Sequence, residues 1–316
     1  MNFDVNARTI LSVKHGSHAY GTNIATSDVD IKGICIEPLN HHLGFLHCFE
    51  QHERLASKGH DADLVIYSLK KFAKLAAECN PNIIEVLHVA DDDVIYIDEF
   101  GERLRSLAND FLSTRARFTF AGYAHAQLKR IKTHRDWLLN PPKSPPDRKE
   151  FGLPDEVKAS KSELGAFDAT LEQGIEIELP KEVLTLFVRE KQYQSAKMKW
   201  KQFEDWKVNR NCERAKLEAK FGYDTKHGMH LIRLLRMCKE ILNDGKVHVK
   251  RHDAEELLRI RAGEWDYDRL IKEAESLDSE CEALYKTSAL PRESNRTKIN
   301  AEIVQLTWDY CRAKGL

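Results

Sequence analysis

The sequence predicts an α+β fold, with an N-terminal mixed sheet and its helices over residues 1–113 and a mainly α-helical region over residues 114–316. Two observations carry this. Before residue 70 the apolar residues fall in runs of strand length, at 9–14, 28–37, 43–49 and 61–67, the second stopped by Pro38. From Thr114 onward the apolar spacing is helical, beginning with a long helix over 114–139. At 316 residues the chain exceeds one typical domain, so two are expected.

The first strand delivers Gly16-Ser17, and the second opens with Asp28-Val29-Asp30. Successive side chains in a strand face opposite ways, so Asp28 and Asp30 share a face about 7 Å apart. Two carboxylates on one face make a seat for a hard divalent cation, Mg²⁺ or Mn²⁺. Such ions keep open positions that substrate phosphates complete. Gly16 lets the backbone approach a ligand, Ser17 offers a hydroxyl and an N–H, and a helix starting there would aim its first amides at phosphate. The stretch from Lys14 to Gly33 therefore reads as a nucleoside-triphosphate site.

Gly-Ser followed by Asp-Val-Asp at this spacing resembles the signature of the DNA polymerase β nucleotidyltransferase superfamily. Gly16-Ser-His-Ala-Tyr-Gly21 and Ser27-Asp-Val-Asp-Ile-Lys-Gly33 are most similar to the RNA-repair-associated, RlaP-like members. The resemblance implies a polymerase-β-like palm, adds Tyr20 to the nucleotide site, and calls for a third metal carboxylate on a neighbouring strand. Asp63 matches that position, with Asp61 on the same face as its competitor. Residues 68–89 extend the resemblance: a helix capped by Ser68, an Asn80-Pro81-Asn82 break, then Glu85-Val86-Leu87. Lys70 and Lys71 either touch phosphate or form a solvated helix face.

Composition limits the alternatives. Lys plus Arg number 49 against 50 Asp plus Glu, a net charge of −1, so there is no global nucleic-acid signature, although the charge is unevenly placed. The seven cysteines (Cys35, Cys48, Cys79, Cys212, Cys238, Cys281, Cys311) form no C-x-x-C pair, which disfavours a zinc knuckle or a disulfide framework. No apolar run approaches a membrane span, and a soluble cytoplasmic protein is expected.

Beyond the sheet, helix 114–139 carries Arg115, Arg117, Lys129, Arg130, Lys132 and Arg135 among aromatic and apolar residues. A proline-rich loop follows at 140–154, and then a second basic tract at 181–221, with Trp200, Phe203 and Trp206 between its lysines. Cations interleaved with aromatics suit a nucleic-acid acceptor; the same pattern also describes a self-paired surface helix. Lys226, His230 and Arg233 fall at i, i+4 and i+7, one cationic stripe on a helix whose other face is Leu231, Leu234 and Leu235. The match of Lys-x-x-x-His-x-x-Arg to the family pattern implies nucleotide contacts at these three positions. His227 and His230, spaced i, i+3 without further ligands, read as structural histidines rather than zinc ligands. Arg259, Arg261 and Glu264 either bind substrate or pair internally.

The expected activity is transfer of an NMP from an NTP to an acceptor hydroxyl, most simply an RNA end, tRNA-like ends included, with pyrophosphate released. Asp28, Asp30 and Asp63 would hold the metal, and Gly16, Ser17, Tyr20, Lys226, His230 and Arg233 the nucleotide. Nucleotidylation of a protein hydroxyl and a non-catalytic RNA-binding module are the alternatives.

Overall fold

A computed structural model describes residues 3–55, 62–156, 160, 162, 165, 169, 180–210 and 212–315. The run Thr-Ile-Leu-Ser-Val-Lys-His forms strand β1 (Thr9–His15), which turns at Gly16 into the short helix α1 (Gly16–Tyr20). Strand β2 (Asp30–Cys35) returns antiparallel to β1. Strands β3 (Gln51–Arg54), β4 (Asp63–Ser68) and β5 (Val94–Ile97) complete a mixed five-stranded sheet in the order β3-β4-β2-β1-β5. The β2–β4 pair is parallel and the others are antiparallel.

One expected strand is displaced. The apolar run at 43–49 forms no strand: helix α2 (Leu39–His42) precedes it, and the third strand is the polar Gln-His-Glu-Arg run that follows. Phe45 is 96% and Leu46 76% exposed, so these side chains gain nothing from the core. β3 is an edge strand held by backbone bonds to β4, and an edge needs no apolar pattern. The other edge, β5, is only four residues long and carries exposed Ile95 and Tyr96.

The side chains of Cys35, Leu64 and Ile66 pack with Val5 and Phe49 against one face of the sheet. Helix α3 (Leu69–Ala77) starts where expected because the Ser68 hydroxyl accepts the Lys71 N–H, and it buries Leu69, Phe72 and Ala76. Asn80-Pro81 then opens the single-turn helix α4 (Pro81–Ile84), with the Asn80 side chain capping Asn82 N–H. Helix α5 (Glu99–Ser106) follows β5, capped by Asp98.

The remaining chain is helical: α6 (Ala116–Leu139), α7 (Lys181–Asn209), α8 (Cys212–Phe221), α9 (Thr225–Asp244), α10 (Ala254–Arg261), α11 (Tyr267–Thr287) and α12 (Arg296–Ala313). The chain is thus α+β, a mixed sheet with helices followed by a helical C-terminal region. Two compact units divide it: residues 1–132 with 223–316, and residues 133–222. Residue 113 lies inside the first. There α9 buries Leu231, Leu234 and Leu235, and Arg103 of α5 pairs with Glu302 and Asp309 of α12. In the second unit Trp137, Phe203 and Trp206 pack on one another, and the 140–154 loop is pinned by a buried Arg148–Glu190 pair at 2.7 Å. All seven cysteines are free thiols, and among the described residues no helix is long and apolar enough to cross a membrane.

Burial sets one pH dependence. The His88 imidazole donates to the Ala108 carbonyl, yet burial pushes its pKa down from 6.5 to about 4. An unfolded chain takes up a proton near pH 6.5 where native His88 does not. Stability should therefore fall as pH drops from about 6.5 and level below about 4, a loss on the order of 1–3 kcal/mol. Urea unfolding at pH 7, 5.5 and 4 measures this, and His88→Asn should remove that part of the slope.

Candidate active site

Strand register builds the first feature of the site. His15 pairs with Asp30 and Asp30 pairs with Asp63, so the three side chains form one row across β1, β2 and β4 on the same face. Lys32, two residues past Asp30, shares that face. Asp28 lies one step before β2, and the Val29 carbonyl accepts the Asp63 N–H at 3.0 Å, carrying the pairing just beyond the strand end. Burial raises the Asp30 pKa; His15 and Lys32 pull it back down, while Asp63 and Asp28 push it further up. The carboxyl groups therefore sense one another. They do not all close to within 4.8 Å, so they form an acidic row rather than a ready chelate.

Gly16 is needed against this row. Its φ is +65°, and a Cβ there would collide with the Asp30 carboxylate, standing 3.1 Å from Asp30 Cγ. The donor set is all carboxylate oxygen, as a hard divalent cation requires, and the mutual repulsion at Asp30 is what such a cation would relieve. The residues present fit the group.

Behind the row sits a buried carboxylate, Glu85, which is fully enclosed. Tyr20 Oη donates to its Oε2 at 2.5 Å, and His15 Nε2 stands 3.2 Å from the same oxygen. Arg233 Nη1 donates to Oε1 at 3.0 Å, and its guanidinium lies 3.9 Å over the Tyr20 ring. Burial would raise the Glu85 pKa, but Arg233, His15 and Tyr20 outweigh it and hold the carboxyl at about 2. Lys32 Nζ donates to the Asn82 carbonyl at 2.6 Å, and burial brings its pKa down to about 8.

These groups border a cavity of about 990 Å³ in the first unit. Its floor holds Gly16, Ser17, Tyr20, Asp28 and Asp30. One wall is α9, presenting Lys226, His230 and Arg233 from a single stripe. The other is α6, from Phe118 to Arg130, and Arg261 closes the rim while donating to the Thr22 carbonyl at 3.3 Å. All the residues singled out in the sequence as nucleotide contacts line this one space. Asp63 stands beside Asp30 in the strand register but is not among the residues that line the cavity, and Asp61 lies outside the described residues.

Other candidates stand elsewhere. Lys71 pairs with Glu50 at 2.8 Å, and Lys70 is solvated. Arg259 lies 4.0 Å from Glu264. His227 is held by the helix cap, its N–H donating to Asp224. Trp206 is covered by Arg210 at 4.5 Å and packs on Phe203 and Trp137. Sequence reasoning did not single out His15, Lys32 or Glu85. Parity with Asp30 would have placed Lys32 on the acidic face; Glu85 entered the resemblance through Glu85-Val86-Leu87 without a role.

Residues 2–139 match the profile of RlaP, the RNA repair pathway DNA polymerase beta family. An uncharacterized 38.9 kDa protein of the nrdC-mobD intergenic region of Enterobacteria phage T4 is 30% identical over 130 residues, 39% of this chain. That match spans 38% of the phage protein's own length. No solved structure gives a significant match. The matched segment holds the whole sheet, the acidic row, Glu85 and all of α6, and supports a polymerase beta-like nucleotidyltransferase domain.

Removing Glu85 would leave Arg233 buried without its counter-charge. Glu85→Ala should cost about 3–5 kcal/mol in urea unfolding at pH 7. The double change Glu85→Leu with Arg233→Met should cost less than the sum of its parts. Since the carboxyl is held at about 2 against an ordinary 4.5, the wild-type contribution is complete above pH 4.5 and fades only as pH falls toward 2.

Proposed function

We propose that this chain is a metal-dependent nucleotidyltransferase that moves an NMP from an NTP to an acceptor hydroxyl, with an RNA end as acceptor. The observation that carries the reading is a single cavity with Asp28 and Asp30 on its floor, Asp63 paired beside Asp30, and a cationic helix stripe on its wall. A triphosphate is the ligand that both features suit. Residues 1–113 would serve as the palm, and the helices from 114 onward would supply the walls.

Asp28, Asp30 and Asp63 would hold Mg²⁺ or Mn²⁺. When bound, the cation supplies Lewis-acid activation of the acceptor hydroxyl and neutralises phosphate charge. The chain's own groups do the positioning. Gly16 leaves room for phosphate beside Asp30, Ser17 offers its hydroxyl, and Lys226 and His230 face the departing pyrophosphate. Tyr20 and Arg233 reach the nucleotide only by their cavity-facing surfaces, because the Tyr20 hydroxyl and Arg233 Nη1 are bonded to Glu85. Holding an anionic transition state between fixed cations is the main catalytic effect in phosphoryl transfer, with little covalent work left to the protein.

The RNA acceptor rests on the RNA-repair description of the matched family and on the cations of α6 and α7. The aromatic part of that argument weakens, since Phe203 and Trp206 are occupied in packing. Incubation with each α-³²P-labelled NTP, Mg²⁺ or Mn²⁺ and total RNA tests the proposal. Label should enter RNA with wild-type protein and fall at least about 100-fold with Asp28→Ala or Asp30→Ala, both keeping native circular dichroism. Turnover retained in either variant would overturn the metal assignment, and label in protein would move the acceptor to a protein hydroxyl.

A further inference from the structure

The α6 wall of the cavity differs chemically from the α9 wall opposite. Its lining residues recur at Phe118, Gly122, Tyr123, Ala126, Gln127 and Arg130, one stripe about 18 Å long at 1.5 Å per residue. Gly122 and Ala126 leave the middle of the stripe flat; a Cβ at Gly122 would meet nothing within 4 Å. Two aromatic rings flank that flat strip. Phe118 is 63% and Tyr123 38% exposed, unusual for large rings lining a cavity. Tyr123 is not loose: its hydroxyl accepts from Asn80 Nδ2 at 3.2 Å, which fixes the ring and leaves its face open. Asn80 belongs to the same Asn-Pro-Asn turn whose Asn82 carbonyl holds Lys32 beside the acidic row.

Beside the rings stands Gln127, whose Oε1 is buried and has no hydrogen-bond partner. A buried amide oxygen without a donor costs free energy, and because Gln127 lines the cavity, turning its amide toward the cavity lets a ligand's N–H relieve that cost. The ligand to suit this wall is flat and carries N–H groups on its edge. Nucleobases have both properties: a π face for Tyr123 and Phe118, and an edge that an amide reads by paired donor and acceptor contacts.

Resting on the nucleotide reading of the cavity, we propose that the α6 wall is a nucleobase subsite in which Tyr123 and Phe118 stack the base and Gln127 selects it by its edge. The cationic α9 wall takes the phosphates and the α6 wall the base, so the cavity is divided as a nucleotide is. The base can belong to the incoming NTP or to the terminal nucleotide of the acceptor; the chemistry is shared, and the measurement separates the sources.

Isothermal titration of the full chain with Mg²⁺ and tripolyphosphate, each of the four NTPs, and short RNAs differing only in the 3′ base reads the two halves independently. Wild-type protein should bind tripolyphosphate and prefer one base among NTPs or among RNA ends. Gln127→Leu should cut that preference at least tenfold, and Tyr123→Ala should weaken all four bases about equally, with tripolyphosphate affinity held within twofold in both. The series in which the preference collapses names the source. Binding of tripolyphosphate and NTPs with no base preference, or with a preference untouched by Gln127→Leu, would overturn the base subsite alone. Failure of tripolyphosphate and all NTPs to bind would overturn the nucleotide reading and the subsite with it.

Discussion

A single buried carboxylate joins the parts of the site. Glu85 accepts from Tyr20 of α1 and from Arg233 of α9 and stands beside His15 of β1, so one side chain ties together strand, turn and distant helix. Isolated in the interior, a carboxylate would be neutralised or expelled; three donors make its charge tolerable. The arrangement fixes more than stability. Because Arg233 is committed to Glu85 on one side and to the Tyr20 ring on another, α9 can pack in one rotation only, and that rotation turns Lys226 and His230 toward the acidic row.

Electrostatic economy runs through the floor in the same way. Lys32 and His15 stand between two sets of carboxylates, Asp30 on one side and Glu85 on the other. Burial lowers the pKa of both: Lys32, at about 8, still carries its charge at neutral pH, whereas His15, pushed below 6.5, is neutral there. The floor is therefore a graded field, acidic toward the cavity mouth and compensated underneath, rather than a bare cluster of negative charge.

Much of this was legible in the sequence, and the failures have physical reasons. The alternation of side chains along β2 put Asp30 on the ligand-facing side without any structure, and a positive φ at Gly16 is what a Gly-Ser turn demands. Helical spacing likewise put Lys226, His230 and Arg233 on one stripe. The third strand was misplaced because hydrophobicity marks burial, and β3 and β5 are edges that hold the sheet through backbone bonds. Glu85 was named only within the Glu85-Val86-Leu87 pattern, and its role was hidden for a different reason. Its partners lie 65 and 148 residues away, and no local pattern announces a carboxylate whose meaning is wholly tertiary. The aromatic residues of α7 show a pattern the sequence left open: Trp206 and Phe203 alternate with lysines as nucleic-acid platforms do, yet they spend their faces on Trp137 and each other.

The first compact unit is discontinuous, assembled from residues on both sides of 133–222. This imposes an order on its birth at the ribosome. Glu85 is made early, whereas Arg233 follows 148 residues later, a delay of roughly 7–30 s at ordinary elongation rates. During that interval the sheet can pair, but its inner carboxylate has only Tyr20 and His15 for company. Until α9 emerges the Glu85 carboxylate lacks its Arg233 partner, so this side of the sheet cannot close over it and the charge stays open to water.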